Sequence, residues 1–418
     1  MTAPTVLGRF RWRTLIQPWL EMDWILLVAV IAMTCLGGVA IRSVEIKSEG
    51  SNWIRHLSTA GVGLVMALGI ARFRYDNLLR WKWIIYGLTN LSLIAVKLVG
   101  TTALGAERWI AVGGVHIQPS EFAKVGIIIT LAAMLHQSTA STLPRMFQVL
   151  GVTAVPWALV FIQPSLGTSL VIASICFGML YWGNANPGWL ILLVSPLVAA
   201  ILFNLYIPAW LAWTALMGAI AWKSLPWSAM GALGAVAINA VSGGLGKIFW
   251  DILQPYQKAR ITMFLNPDQD PMGGGYHLIQ SRIAIGAGEL WGKGLNQGTQ
   301  TQLNFIPEQD TDFIFAAIGE EFGFIGSMLV LIGFWLICLR LVWIAQGAKD
   351  NFGSLLAIGV LGMLVFQVVI NIGMTIGLAP ITGIPLPLLS YGRSAMITNF
   401  LAIGLVESVA NHRQRFKF

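Results

Sequence analysis

The sequence contains few charged residues for its length. Asp, Glu, Lys and Arg make up 11% of its 418 residues, whereas 56% are apolar; a soluble domain carries roughly 25% charged and about 45–50% apolar residues. A soluble globule with this composition lacks the polar residues to cover its surface, so soluble, disordered and fibrous classes are excluded. The apolar residues form continuous runs without alternation, which disfavours a transmembrane β-barrel. At about 20 residues per helix, the composition predicts an all-α polytopic membrane protein.

Cysteine is also scarce, and long basic runs are lacking. Cys35, Cys176 and Cys338 each lie in an apolar run, far from one another. A disulfide framework or a zinc site needs paired spacing, so we interpret them as small apolar side chains within helices. No basic run is long enough to follow a nucleic-acid backbone. The net charge of +8 therefore predicts basic cytoplasmic loops and contact with anionic membrane lipid, with an anionic substrate as the second interpretation.

About twelve apolar segments are long enough to span a membrane, the first at Trp24–Ile41 and the last at Ser390–Val409. Two short runs between Pro208 and Val241 are either a hairpin of two spans or a membrane-surface segment, and both alternatives leave an even number of spans. No A-x-A cleavage signal follows the first span, so the N-terminal tail is expected to be retained.

Lys and Arg near the span ends predict that both termini are cytoplasmic, because basic residues favour that side of the plasma (inner) membrane. This orientation places residues 243–321 outside, as one long extracytoplasmic loop within a single integral membrane domain, residues 1–418. The loop contains aromatic residues throughout, including Tyr256, Tyr276 and Trp291, which favours ordered structure with short helices over disorder.

Within this loop, Asn266–His277 combines two carboxylates, Asp268 and Asp270, with flanking prolines and three glycines. Strings of this kind are common in turns. Alternatively, Pro271 holds Asp270 rigidly and the glycines let the backbone approach a ligand closely, so that Asp270 serves as a general base or metal ligand. The Asp-x-Asp spacing makes a divalent cation, Mg²⁺ or Mn²⁺, a possible cofactor.

Basic and polar residues flank the two aspartates. Each cation alone is typical of a solvated charge or a lipid-headgroup contact, but together they suit an anionic leaving group such as a pyrophosphate. These residues are Lys258, Arg260, Arg282 and Lys293, with Gln280 and Ser281 on a predicted short helix, His277–Ile285.

Another polar constellation is formed by Gly105–Trp109, which contains Arg108, and Gln118–Lys124. Pro119 favours a helix start, and Glu121 and Lys124 are three residues apart on one helix face. The plain interpretation is a structural ion pair at the membrane boundary. Charges next to an apolar span usually face a bundle interior, so Arg108, Glu121 and Lys124 are also predicted to contact substrate.

Two further polar stretches border predicted spans. Several carboxylates lie in the stretch that runs from Phe305 to Glu321, and prolines and glycines interrupt Pro380–Ser394. Irregular backbone at membrane depth must be buried in protein or line a cavity.

The chain resembles the SEDS family (shape, elongation, division and sporulation) over nearly its whole length after the first span. The resemblance is carried by sequence motifs that occur in the family's order: Gly105–Trp109, Gln118–Lys124, Asn266–His277, Phe305–Phe315 and Pro380–Ser394. Pro255–Arg260 and Gly298–Gln300 add to the match, and Gly298–Gln302 and Gly383–Pro387 are more similar to elongation-type than to division-type members.

The resemblance implies a peptidoglycan glycosyltransferase that polymerises lipid II into glycan strands at the outer face of the membrane. It implies a class B penicillin-binding transpeptidase and other elongation-complex membrane proteins as partners, and it places the essential loop carboxylate at Asp270.

Three departures from the family pattern stand out. Ser165 replaces the usual Asp of Gln-Pro-Asp-x-Gly-Thr, and Arg393 replaces a Gly in Ser-Tyr-Gly-Gly-Ser. Family members usually have about ten spans, so 208–241 is interpreted as an inserted hairpin.

Other functions remain open at this point. A lipid II flippase, a scaffold for the transpeptidase and a division-type polymerase all fit a polytopic fold. A flippase would need its essential polar groups near the membrane midplane, whereas the carboxylates here cluster in the predicted outer loop.

Overall fold

Long helices make up most of the described chain. The computed structural model describes residues 21–46, 50–103, 106–112, 115–163, 165–252, 258, 264 and 275–413. Two short helices, α10 (Tyr276–Ala287) and α11 (Thr299–Gln302), lie between the long helices α9 (Ser228–Ile252) and α12 (Ile314–Gln346). The long helices in these ranges are α1 (Trp24–Glu45), α2 (Asn52–Arg72), α3 (Leu78–Val99), α4 (Pro119–Gln137), α5 (Leu143–Ile162), α6 (Leu166–Trp182), α7 (Pro187–Leu205), α8 (Ile207–Ser224), α9 (Ser228–Ile252), α12 (Ile314–Gln346), α13 (Asn351–Ile376) and α14 (Arg393–Asn411).

The predicted polytopic α-helical fold is confirmed. Eight helices in the described ranges are long and apolar enough to cross a membrane by length and composition, and α6 is a shorter apolar helix. The two runs between Pro208 and Val241 form separate helices, α8 and α9. Helix α9 continues to Ile252 and α12 already begins at Ile314, so the connection between them is shorter at both ends than residues 243–321.

A small antiparallel sheet between α3 and α4 was not anticipated from the sequence. Its strands β1 (Thr101–Ala103), β2 (Ala106–Val112) and β3 (Val115–Ile117) are ordered β1-β2-β3. In sequence, Gly113-Gly114 between β2 and β3 is a hairpin signal, and β3 carries two β-branched residues, which favour strands. Such short strands are easily overlooked beside long apolar runs.

Helices α13 and α14 form the buried centre of the bundle. Within the most apolar 18-residue segment of each helix, 67% of the segment is buried in α13 and 83% in α14. The corresponding shares are 22% in α7 and 17% in α9. Helix α14 nevertheless buries Thr398, Asn399 and Glu407, as expected for polar residues that face the interior of a membrane bundle. Helices α7 to α9 are therefore peripheral.

The α8–α9 hairpin packs mainly on α7. The Trp213 Nε1–H donates to the Ser195 carbonyl (3.2 Å) and the Asn239 amide donates to the Ser195 hydroxyl oxygen (3.0 Å). The Ser195 hydroxyl in turn donates to the Leu192 carbonyl (2.9 Å), which has no intrahelical partner because Pro196 lacks an N–H. The polar defect in α7 is thus closed by its own Ser195, which the hairpin also binds, and the hairpin contacts little of the central bundle.

One end of the bundle is held by a charged network. The Asp23 carboxylate accepts from the Leu26 N–H (3.1 Å) and from Arg340 Nε (3.0 Å), while the Asp23 N–H donates to Glu407 Oε2 (2.9 Å). This network joins α1, α12 and α14 at the end where Arg72, Lys349 and Arg413 are also found.

Helices α2 and α14 approach closely at small residues. A Cβ atom on Gly404 would lie 2.7 Å from the Ala67 Cα and 2.8 Å from the Ala67 carbonyl oxygen. Backbone atoms cannot move aside cheaply, so the helices themselves would have to separate.

Gly404→Ala is therefore expected to destabilise the fold by about 1–3 kcal/mol through overpacking. Gly61, on α2, is the matched control, because a Cβ atom added there would have no other atom within 4 Å and Gly→Ala in an open helix stabilises by about 0.5–1 kcal/mol. Thermal unfolding in detergent measures both variants. Equal unfolding temperatures would contradict the close α2–α14 packing.

Candidate active site

Polar connections from four parts of the chain meet at the end of the bundle opposite Asp23. The Asn52 amide donates to Asp310 Oδ2 (3.0 Å), the Tyr391 N–H donates to the Asp310 carbonyl (2.8 Å), and the Gln118 N–H donates to Ser394 Oγ (3.0 Å). The starts of α2, α4 and α14 and the turn before α12 therefore form one continuous rim, which we call the polar rim.

Below this rim, Glu121 and Lys124 form a buried ion pair on α4. Their Oε2 and Nζ atoms are 2.7 Å apart, and the residues are 5% and 1% exposed. Pro119 starts the helix, which places Glu121 in the first turn, where a carboxylate also interacts favourably with the helix dipole. The i, i+3 pairing inferred from the spacing is present in the structure.

Helix α12 is interrupted at Gly323, whose φ of 65° and ψ of −161° are not helical. The carbonyls of Glu320 and Glu321 accept from the N–H groups of Lys293 and Gly294 (3.0 Å each). Beyond the break, the Phe324 N–H donates to the Glu289 carbonyl (2.9 Å). The loop after α10 thus satisfies the backbone groups that the break would otherwise leave unpaired.

The Glu320 side chain connects this loop to α11. Its carboxylate accepts from the N–H groups of Gln300 and Thr301 (2.9 Å each) and from the Thr299 hydroxyl (3.1 Å). Lys293 Nζ lies 3.4 Å from the same carboxylate and 2.6 Å from Thr299 Oγ1. Lys293 is therefore held within this network, and Glu320 has no exposed surface.

Other predicted binding residues lie on different elements. The buried Ser281 hydroxyl donates to the Thr375 carbonyl (2.8 Å) and joins α10 to α13, while the neighbouring Gln280 is half-buried. Lys258 Nζ lies 3.3 Å from the Asp251 carbonyl at the end of α9. Arg108 lies on β2. Among the described residues, no ion pair joins Glu121 or Lys124 to Lys293.

The predicted catalytic residue, Asp270, lies outside the described residues, as do Asp268 and Arg260. Gly275, five residues after Asp270, directly precedes α10. Helix α10 begins beside Phe313, on which His277 stacks, and this is the same end of the bundle as the polar rim.

Two titratable groups near the rim have shifted pKa values. Burial raises the pKa of the Asp310 carboxyl above its usual value, and the hydrogen bond from Asn52 opposes this shift. Burial lowers the pKa of His277, whose ring stacks on Phe313 at 5.8 Å between centroids. His277 is therefore neutral at neutral pH and contributes no positive charge for an anionic ligand.

The two substitutions relative to the family pattern have local partners. Ser165 Oγ donates to Thr168 Oγ1 (3.0 Å) at the start of α6, and Arg393 Nε donates to the Tyr391 hydroxyl (3.3 Å). Arg393 thus adds a cation to the polar rim.

A cavity of about 280 Å³ lies between α10, α12 and α13, with Ile285, Phe315, Leu331 and Ile372 among its lining residues. Its wall is mostly apolar and does not suit a diphosphate. Within the described ranges, no group of three His, Cys, Asp or Glu side chains could hold a metal ion.

Several residues of the site were not singled out by sequence reasoning. The Asn371 amide donates to the carbonyls of Asp312 (2.9 Å) and Ile384 (2.8 Å), and the Gln302 amide donates to the Ser43 carbonyl (2.8 Å). A polar residue within an apolar span was the available signal for Asn371. Its hydrogen-bond partners are distant in sequence and could be identified only from the structure.

Comparison with known proteins identifies relatives over nearly the whole chain. The family model for FtsW, RodA and SpoVE, described as a cell cycle protein, matches residues 19–216 and 211–415. Peptidoglycan glycosyltransferase RodA of Treponema pallidum is 35% identical, over 94% of this chain and 98% of its own length. Peptidoglycan glycosyltransferase MrdB of Escherichia coli K12 is 32% identical, over 94% and 95%.

Solved structures show the same fold. A chain from a peptidoglycan synthase complex, in a structure that concerns the coordination of polymerization and crosslinking, has a TM-score of 0.71 and 26% identity, covering 95% of this chain and all of that chain. The rod shape determining protein RodA of Thermus thermophilus has a TM-score of 0.62 and 24% identity, covering 95% of this chain and 99% of its own.

Proposed function

The chain belongs to the FtsW/RodA/SpoVE family as a multi-pass membrane peptidoglycan glycosyltransferase similar to RodA, and from this membership we propose the details of its reaction. It polymerises lipid II at the outer face of the plasma membrane, and Asp270 acts as the general base. The observation that carries the proposal is the polar rim, where hydrogen bonds join the starts of α2, α4 and α14 to the turn before α12. Helix α10, which follows the Asp270 segment in the sequence, begins at the same end of the bundle.

The chemistry needs a proton acceptor and a site for an anionic leaving group. The acceptor hydroxyl loses a proton as it attacks the anomeric carbon, and a positioned carboxylate supplies a base. The bond from that carbon to the undecaprenyl pyrophosphate breaks as the new bond forms, and cationic side chains stabilise the charge that develops on the departing diphosphate. We assign this role to Arg108, Lys258 and Arg260.

The remaining predicted residues have supporting roles. Glu121 and Lys124 line the lipid-binding region as a pair, without transferring protons, because each already neutralises the other at 2.7 Å. Ser281 and Lys293 hold α10 and the loop after it in place through Thr375 and Glu320, Gln280 is the neighbour of Ser281 on α10, and this helix directly follows the Asp270 segment in the sequence. They thereby contribute to substrate binding through the position of that segment.

A divalent cation, Mg²⁺ or Mn²⁺, is proposed at Asp268 and Asp270, where it would neutralise diphosphate oxygens when bound. Carboxylates at this spacing provide the oxygen ligands that these cations prefer. Among the residues that the structure describes, no cluster of His, Cys, Asp or Glu side chains adds further ligands for this cation.

We propose a class B penicillin-binding transpeptidase as the partner, together with other membrane proteins of cell elongation. The support is the fold shared with a chain of a peptidoglycan synthase complex at a TM-score of 0.71. Polymerised strands need crosslinking, and a joined polymerase and transpeptidase would carry out both steps at one site.

The proposed orientation has both termini in the cytoplasm and the polar rim outside. The end with the Asp23–Arg340 network carries most of the basic residues that flank the spans, as expected for the cytoplasmic side. A cysteine introduced at Gln269 should react with a membrane-impermeant thiol reagent in spheroplasts. Introduced at Ser141, in the α4–α5 connection, it should react only after permeabilisation. The reverse pattern would overturn both the orientation and the outer site.

The α8–α9 hairpin is proposed to be a non-catalytic addition. Residues Pro208–Val241 contain no Asp, Glu or His, and Ser195 keeps its own hydrogen bond to Leu192 when the hairpin is removed. Replacing Pro208–Val241 with a flexible linker that stays outside should retain polymerase activity within a few-fold. A correctly inserted but inactive deletion would show instead that the hairpin supports the catalytic loop.

A further inference from the structure

Three successive backbone carbonyls in the turn before α12 accept hydrogen bonds from residues elsewhere in the fold. The carbonyl of Asp310 accepts from the Tyr391 N–H (2.8 Å), that of Thr311 from the Ser390 hydroxyl (2.5 Å), and that of Asp312 from the Asn371 amide (2.9 Å). This arrangement fixes the backbone of residues 310–312 against α13 and the segment before α14.

The Asp310 side chain is fixed as well. Its Oδ2 accepts from the Asn52 amide at 3.0 Å, and Asn52 Oδ1 accepts from Arg55 Nη1 at 3.3 Å. Asn52 is held in turn, because its N–H donates to the buried Glu45 carboxylate (3.2 Å). The carboxylate and the amide therefore keep one relative geometry without any ligand.

This fixed pair is open to ligands and has no charged partner among the residues that the structure describes. Asp310 and Asn52 are both half-buried, so part of each side chain remains accessible. Asp310 forms no ion pair with any other residue in the described ranges. Burying an ionised carboxylate without a cationic partner is costly, and further hydrogen bonds donated by a ligand would reduce that cost.

We propose that Asp310 and Asn52 form a saccharide subsite that binds a sugar of the lipid-linked disaccharide or of the growing glycan strand. The proposal rests on the proposed function. An ionised carboxylate only accepts hydrogen bonds, and sugar hydroxyls are abundant donors. Bonds to a charged acceptor are about twice as strong as neutral ones, and a pair that is already fixed loses little entropy when the sugar binds.

The position of the pair supports this role. Tyr391, which binds the Asp310 carbonyl, lies three residues before Ser394, which accepts from the Gln118 N–H at the start of α4. The pair is thus part of the polar rim that also includes the Glu121–Lys124 helix. A sugar bound there would lie at the end of the bundle where α10 begins, the helix that follows the Asp270 segment in the sequence.

Binding and polymerisation are measured separately in the test. The binding probe is the soluble disaccharide-pentapeptide without its lipid. Asp310→Asn keeps the shape of the side chain but removes its charge, and Asn52→Ala removes the amide. Each variant should weaken binding of the probe about tenfold, as expected for the loss of one charged hydrogen bond. Glu308→Gln is the matched control, because Glu308 is an exposed carboxylate in the same turn whose side chain contacts Thr311.

Polymerisation by the full-length protein distinguishes the two sugar sources. If the subsite holds incoming lipid II, Asp310→Asn raises KM with little change in kcat. If it holds the growing strand, the variant makes shorter strands at unchanged KM. Burial raises the Asp310 pKa, with Glu308 acting in the same direction. The ionised acceptor is therefore lost as pH falls through that raised pKa, so probe binding by native protein should weaken on acidification, whereas binding by Asp310→Asn should not follow.

The outcomes separate the subsite from the proposed function. Native-like binding of the probe and native-like polymerisation by Asp310→Asn would overturn the subsite and leave the polymerase assignment intact. An equal loss in Glu308→Gln would also overturn it, as would native protein that does not bind the probe. A native protein that binds the probe through Asp310 but makes no polymer would contradict the proposed function alone.

Discussion

Replacing Asp270 with Asn is expected to reduce glycan polymerisation by about 10²–10⁴-fold, the usual contribution of a positioned general base. Asn has nearly the same shape as Asp but cannot accept the proton of the attacking hydroxyl. The measurement is strand formation from labelled lipid II by purified protein, and Asp270→Ala should give the same loss.

The control for this variant is Asp268→Asn, two residues earlier in the same stretch. As a cation ligand, Asp268 should affect the response to Mg²⁺ or Mn²⁺ more than the maximal rate. Variants of Asp270 should keep the unfolding temperature of the native protein. Normal strands from Asp270→Asn would refute the general-base role.

Replacing Lys124 with Met is expected to have the largest effect on stability. Lys124 is 1% exposed and pairs with a Glu121 that is 5% exposed, so the substitution leaves a buried carboxylate without its partner. Removing one member of a buried pair typically costs about 3–5 kcal/mol. Thermal unfolding in detergent should therefore show a clear decrease for Lys124→Met.

The double variant Glu121→Gln plus Lys124→Met provides the comparison. It removes both charges, and replacing a whole buried pair is often neutral or stabilising. The double variant should thus unfold at a higher temperature than Lys124→Met alone. If the stability loss of the double variant equalled the sum of the losses in Glu121→Gln and Lys124→Met, the two residues would not be energetically coupled. Their short separation would then have no bearing on stability.

The sequence predicted the helical architecture well because its signal is local. Continuous apolar runs of membrane length are sufficient to locate the helices, and the split between α8 and α9 coincides with the polar and proline-containing stretch Lys223–Pro226. The ion pair of Glu121 and Lys124 could also be predicted from the sequence, because residues three apart share a helix face.

The start of α12 was harder to predict from the sequence. The predicted outer loop extended to residue 321, yet the helix begins at Ile314 and includes Glu320 and Glu321. These charges resemble loop residues in the sequence. In the structure, Glu320 accepts hydrogen bonds from α11, and Glu321 Oε1 accepts from the Ser43 hydroxyl of α1 at 2.5 Å. Partners so distant in sequence cannot be inferred from local patterns.

The contacts within the polar rim also join residues that are distant in sequence, so local patterns could not predict them. Asp310 and Asn52 are more than 250 residues apart in the chain and meet only because the start of α2 and the turn before α12 lie at the same end of the bundle. Sequence reasoning identified Asp310 as one of several carboxylates in its stretch, but it provided no reason to connect it with Asn52, Ser390 or Asn371.

The most direct test of the central claim is polymerisation of labelled lipid II by the purified native protein, alone and with a class B transpeptidase. The proposed function predicts glycan strands that depend on Asp270, and crosslinked strands when an active transpeptidase is added. Transport of lipid II across vesicles without any strand formation, in both the presence and absence of the transpeptidase, would contradict it.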